Sequence, residues 1–202
     1  MNKNKICLFV GIALTAILAF STMSQATLLT NGDFETGDGS SWTTGTYFAI
    51  VSSPAYGNWA ASITAPISVS APDTIEQAVS GTQNVTYTLS GELRHGSTWN
   101  KREAALVIEF LDGGGGQISA TEIGRLNTGS AADTWFSFSG SALAPTGTVS
   151  VNVILLLEYI AGGAGGQAGS AYFDDVVLVP EPATVALLGL GGLFMLRRKK
   201  RR

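Results

Sequence analysis

Cysteine is almost missing from this chain. The single residue, Cys7, lies in an apolar N-terminal stretch, so no disulfide can staple the remainder, and stability must come from another source. Histidine is equally scarce, with His95 alone. One histidine, no cysteine beyond position 7 and no Gly-x-Ser-x-Gly elbow leave no material for a nucleophilic triad. No histidine cluster suggests zinc. The glycine runs do not form Gly-x-Gly-x-x-Gly and have no strand-to-helix setting for phosphate. Carboxylates are numerous, which leaves a glycosidase pair open by count, but no Glu-x-Asp-x-x-Glu arrangement occupies one strand.

Positive charge is scarce in the middle of the chain. Between Thr27 and Val179 there are four basic residues, Arg94, Lys101, Arg102 and Arg125, against fourteen acidic ones, a net charge of −10. The whole-chain value of −3 conceals this, because the two termini hold the other eight cations. Such a domain argues against nucleic acid as a partner and is compatible with cations and neutral polysaccharide. A sustained helical period is also lacking, and alternation dominates instead. Val85, Tyr87, Leu89, Gly91 and Leu93 share one face, with Thr86, Thr88, Ser90, Glu92 and Arg94 on the other, the pattern of a half-buried strand. Leu106, Ile108 and Phe110 repeat it. Val149–Tyr159 is apolar on both faces around Ile154–Leu157, as a central strand is. Weaker strand signals cover 47–51, 58–63, 73–79, 117–123, 135–141 and 170–179. Turn signals separate them, among them Gly113–Gly116 and Gly162–Gly169, both expected as hairpin loops. About nine short strands predict an all-β fold, a sandwich or barrel.

The termini differ from this core. Residues 1–26 read as a secretory signal peptide: Lys3 and Lys5, an apolar Ile6–Phe20 helix, then Ser24-Gln25-Ala26 as a small-residue cleavage site. At the other end, Pro180-Glu181-Pro182 is followed by the apolar run 183–196 and six cations, 197–202. The prolines stop the upstream domain. As a helix the apolar run reaches roughly 21 Å, short of the ~30 Å hydrocarbon core, so a transmembrane passage needs bilayer thinning and snorkelling cations. The cations should stay cytoplasmic. This ordered tripartite end resembles the PEP-CTERM sorting signal of Gram-negative envelope proteins. The resemblance implies export through the inner membrane, processing by exosortase and delivery to the cell envelope or matrix. A plain C-terminal anchor is the simpler reading.

Between the termini, residues 27–179 carry an ordered set of landmarks: Asn31-Gly32-Asp33-Phe34-Glu35-Thr36-Gly37, Trp42, Gly57-Asn58-Trp59-Ala60-Ala61, Ile75-Glu76-Gln77, Tyr87–Gly91 and Ala171–Leu178. The set is similar to carbohydrate-binding modules with a galactose-binding-like jelly roll. That resemblance implies a jelly-roll β-sandwich and a structural calcium where the N-terminal segment meets the last strand. The matching positions are Glu35 and Asp174, with Asp175 beside them. Alternation with Val176 and Leu178 places Asp174 toward the core, where an unpaired carboxylate is costly and a hard, oxygen-ligated cation would suit it. The plainer alternative is a carboxylate capping backbone amides. For sugar, Trp99 is the leading aromatic, in a polar stretch with Arg94 and His95. An equally simple role for Trp99 is to cover the sandwich edge, and Trp42, Trp59 and Trp135 read as core or rim. The expected function is that of a non-catalytic envelope protein binding or embedding in extracellular polysaccharide. The alternative is a structural or adhesive surface protein without a sugar site.

Overall fold

The structure is a computed structural model that describes residues 26–66, 71–99, 102–159 and 169–181. The signal-peptide helix, the apolar run 183–196, the basic tail and Pro182 fall outside the described residues. Among those described, no helix is long and apolar enough to cross a membrane.

The described chain is all-β, with ten strands in two antiparallel sheets. They are β1 (Thr43–Thr44), β2 (Phe48–Val51), β3 (Ala60–Ala65), β4 (Asp73–Ser80), β5 (Thr86–His95), β6 (Arg102–Leu111), β7 (Gln117–Leu126), β8 (Phe136–Leu143), β9 (Ser150–Tyr159) and β10 (Gly169–Pro180). One sheet, here sheet A, has the order β1-β4-β9-β6-β7; the other, sheet B, has β2-β3-β10-β5-β8. Nine of these match the sequence-based expectation. The tenth, β1, is two threonines, too short to leave a periodic signal. The glycine run after β9 does not close a hairpin as expected, because β9 and β10 lie in different sheets.

Alternation explains the core. The inward residues of β5, β6, β9 and β10, such as Leu89, Leu93, Leu106, Ile108, Phe110, Val153, Leu155, Phe173 and Leu178, are fully enclosed between the sheets. Each such side chain contributes about 1.5–3 kcal/mol on burial, which is the stability source a cysteine-free domain requires. Phe34 and Trp42, both buried, pack with ring centroids 5.4 Å apart and planes tilted by 32°. The chain ends are tied together by backbone bonds. Residues 27–32 run beside the second half of β10, with Leu28 donating to the Leu178 carbonyl at 2.8 Å and Val176 donating to the Gly32 carbonyl at 2.8 Å. Gly32 is required there, since a Cβ would sit 2.1 Å from the Val176 oxygen.

A bulge in β10 overturns one expectation. The register against β5 jumps from Asp174↔Glu92 to Val177↔Ser90, so two residues, Asp175 and Val176, oppose Gly91 alone. Phe173 and Val176 both face the core, and Asp174 therefore points to the outer face of sheet B, not inward. Asp175 takes the strained position of the bulge with φ 46°.

Candidate functional site

The outer face of sheet B carries the chemistry. Alternation sends Thr88, Ser90, Glu92 and Arg94 of β5 outward, with Ser137, Ser139 and Ser141 of β8 opposite them and Tyr172 of β10 opposite Arg94. The Arg94 guanidinium carbon lies 4.2 Å from the Tyr172 ring centroid and 5.1 Å from that of Trp135. Its Nη2 donates to Ser53 Oγ at 3.0 Å. Two aromatic faces thus hold the cation, and the ion pairs among the described residues all involve Arg125 instead. Further along the same face, at Glu92 two residues before Arg94 in β5, lies a cavity of about 190 Å³ lined by Ser90, Glu92, Ser137, Phe138, Ser139 and Asp175. Ser137 donates its hydroxyl to Glu92.

A loop over residues 52–59 walls this face, and two carboxylates hold it from opposite sides. Asp174 Oδ2 accepts the backbone N–H of Ala55 at 2.8 Å and of Tyr56 at 3.0 Å, and its Oδ1 accepts that of Asp175 at 2.8 Å. Glu35 Oε1 accepts the N–H of Asn58 at 2.7 Å and of Trp59 at 2.9 Å, and Oε2 accepts Asn58 Nδ2 at 2.8 Å. Gly57 sits between these anchors at φ 71°, and a Cβ there would approach Glu35 Oε1 to 2.4 Å. Burial pushes the Asp174 carboxyl above its ordinary value, against the pull of its three N–H donors. The Asn58 side-chain amide, then the Asn58 and Trp59 backbone N–H, hold the Glu35 carboxyl below its ordinary value. The loop so fixed presents Tyr56 at 63% exposure. Of the calcium positions expected from sequence, Glu35 and Asp174 both hold this loop, while Asp175 lies at the bulge and lines the cavity. The described residues contain no group of three or more histidine, cysteine or acidic side chains that could hold a metal.

The three residues expected to bind sugar do not share a surface. Arg94 is on the outer face. His95, the next residue in β5, must face inward; it is buried, and its Nδ1 and Nε2 lie 3.0 Å from the Gly96 and Ser130 carbonyls. Trp99 stacks on that ring at 4.7 Å, on the enclosed side with His95. The aromatic residues beside Arg94 are Tyr172 and Trp135. Alternation from the core residue Phe173 would have exposed Tyr172; alternation over the expected strand 135–141 puts Trp135 on the face of Ser137 and Ser139, although a tryptophan taken alone reads as core or rim. The sorting motif is partly folded. Pro180 ends β10 opposite Tyr87, where no ladder N–H is needed. Glu181 donates its N–H to the Thr86 carbonyl at 2.7 Å.

Residues 178–202 match the PEP-CTERM protein-sorting motif. That motif marks secreted, exosortase-processed proteins of Gram-negative bacteria. No curated protein sequence matches the chain. Among solved structures, the enzymatically active domain of bacteriophage CBA120 tailspike protein 4 is similar over 77% of this chain at 15% identity and TM-score 0.56. This chain spans only 21% of that protein. TmCBM61 in complex with β-1,4-galactotriose is similar over 78% of this chain and all of its own, at 20% identity and TM-score 0.51. The CBM22-1 xylan-binding domain of Paenibacillus barcinonensis Xyn10C is similar over 78% and 97%, at 16% identity and TM-score 0.54. The fold is thus the jelly-roll β-sandwich of carbohydrate-binding modules, a fold also carried within enzymes.

Proposed function

We propose that this is a non-catalytic protein of the cell envelope or extracellular matrix that binds polysaccharide on the outer face of sheet B. One observation carries the reading: Arg94 is held between Tyr172 and Trp135 on the same solvent-facing sheet as a cavity of serines and carboxylates. Serine hydroxyls donate and accept, carboxylates accept, and the guanidinium donates. That set suits the vicinal hydroxyls of a sugar, with half-exposed rings for its C–H faces. The net charge of −10 in the sandwich disfavours anionic polymers and nucleic acid. Structural neighbours named for xylan and for β-1,4-galactotriose support a neutral β-linked glycan. In this reading the apolar run 183–196 holds the protein in the membrane until exosortase removes it, and the cut product is delivered outward.

Retention on insoluble polysaccharides tests the reading. Wild type should be retained on at least one neutral glycan, and Tyr172→Ala should lose that retention at least tenfold while keeping its fold. Trp99→Ala should keep it, since Trp99 sits against His95. No retention on any glycan returns the protein to a structural or adhesive role.

A structural calcium joins the proposal. Glu35 Oε2 and Asp174 Oδ1 each face a single N–H donor, so each keeps lone pairs for a hard cation. Carbonyls of the 52–59 loop, Asp175 and water would supply the rest of its shell. Chelation should lower the melting temperature and calcium should restore it; an unchanged value removes the ion.

A further inference from the structure

The four sheet edges are not alike. β1 has two residues. β2 has four and runs into Ser52-Ser53-Pro54. β7 is broken against β6 by irregularities at Leu106/Val107 and Phe110/Leu111, and it carries Glu122 and Arg125. Short length, proline, bulges and charge are the devices that keep an edge from pairing with another chain. β8 has none of them. It holds an unbroken eight-residue register with β5, and its sequence, Phe-Ser-Phe-Ser-Gly-Ser-Ala-Leu, contains no charge and no proline.

Its free groups can be assigned by parity. Ala144 donates its N–H to the Val85 carbonyl at 2.9 Å, so even-numbered residues of β8 point their backbone groups at β5. The odd-numbered ones, Ser137, Ser139, Ser141 and Leu143, point theirs away from the sheet. All four are exposed, and no described residue takes a hydrogen bond from their backbone. The strand is also complementary to itself about Gly140. Turned antiparallel, Ser139 meets Ser141, Phe138 meets Ala142, and Gly140 meets Gly140. Serine hydroxyls can bond across such a pair, and a large ring opposite a methyl fills the inner side without overlap. In a sandwich of charge −10, an uncharged strand adds no local like-charge repulsion to the approach of a second copy.

We propose that β8 pairs with β8 of a second copy of this chain across a two-fold axis at Gly140. The contact is isologous and joins two five-stranded sheets into one of ten strands. It also sets the two Arg94–Tyr172 faces side by side, so a polymer could engage both at once. Pairing of β8 requires no bound glycan.

The test uses residues 27–181, which contain the ten strands and the buried core of the described residues. Light scattering after size exclusion, without glycan, should give a dimer for wild type. Ser139→Pro removes an outward N–H that β5 does not use, and Ser139→Lys places a charge on the edge. Both should halve the mass while leaving the far-ultraviolet circular dichroism intact; if the proline variant fails to fold, the lysine variant decides. Ala120→Lys on the β7 edge should remain dimeric. A wild type that stays monomeric at the highest reachable concentration overturns the proposal, as does a dimer that persists in Ser139→Lys or is lost in Ala120→Lys.

Discussion

The two outer faces of the sandwich treat an arginine in opposite ways. On sheet A, Arg125 is enclosed by carboxylates, with ion pairs to Glu103, Glu122 and Glu158. Those partners, Glu122 first, push its guanidinium above its ordinary value. Nearby, Asn152 donates from one side-chain amide to Glu76 at 3.1 Å and to Glu109 at 3.0 Å. Glu76, Glu109, Asn152 and the carboxylates around Arg125 are thus partnered within the protein, and the face also carries Val107, Ile154 and Leu156. On sheet B, Arg94 lies between rings on the face that also holds the cavity. A charge neutralised by its neighbours stabilises a sheet and has little left for a ligand. A charge held by aromatic faces keeps donor capacity, because a ring fixes position without consuming N–H groups.

This contrast can be broken by substitution. The largest expected effect is at the loop anchor. Asp174→Ala removes the acceptor for Ala55 and Tyr56 and should cost about 1–3 kcal/mol, a fall of roughly 2–12 °C in melting temperature at ~2–4 °C per kcal/mol. Glycan retention should weaken with it, since Tyr56 belongs to that loop. Arg94→Gln comes next. It should abolish retention and change the melting temperature little, whereas Arg125→Gln should lower the melting temperature and leave retention intact. Equal behaviour of the two variants would erase the distinction between the faces.

A smaller effect concerns pH. Glu35 has a folded-state value below its ordinary 4.5, so its contribution is present above that pH and is lost as pH falls through the lower folded value. Asp174 has the opposite sign. Its raised value means that the protonated form is favoured in the fold, and that contribution is lost as pH rises. The melting-temperature gap between wild type and Glu35→Gln should therefore narrow on acidification below 4.5, and calorimetry in a pH series reads it. A constant gap would mean that Glu35 does not hold the loop through its charge.

The slightest perturbation is at the exit of β10. Pro180 and Glu181 bond along β5, so the proposed processing requires that the motif first fray from Thr86. A short Gly-Ser insertion between Val179 and Pro180 should speed processing, followed by mass spectrometry of the new C-terminus. Unchanged kinetics would mean that docking of Glu181 does not limit access.

Much of this protein was legible along the chain. Alternation and turn residues placed nine strands within a few positions, because a period of two is a local property of side-chain direction. The tripartite C-terminus and the near absence of cysteine needed no coordinates either. Asp174 stood out as a carboxylate that required a partner, and Glu35 as its counterpart in the resemblance to carbohydrate-binding modules. Their partners did not stand out, because backbone N–H groups look alike in every sequence.

Tertiary structure decided the rest. The β10 bulge turned Asp174 from the core to the outer face, and a bulge is set by how a strand meets its neighbour, not by its own composition. Sheet pairing put Trp135 and Tyr172, 37 positions apart in sequence, around Arg94. Pairing also left β8 as the edge that is at once long, unbroken and uncharged. An alternating sequence determines which side chains share a face, but only the assembled sheets determine what lies opposite that face.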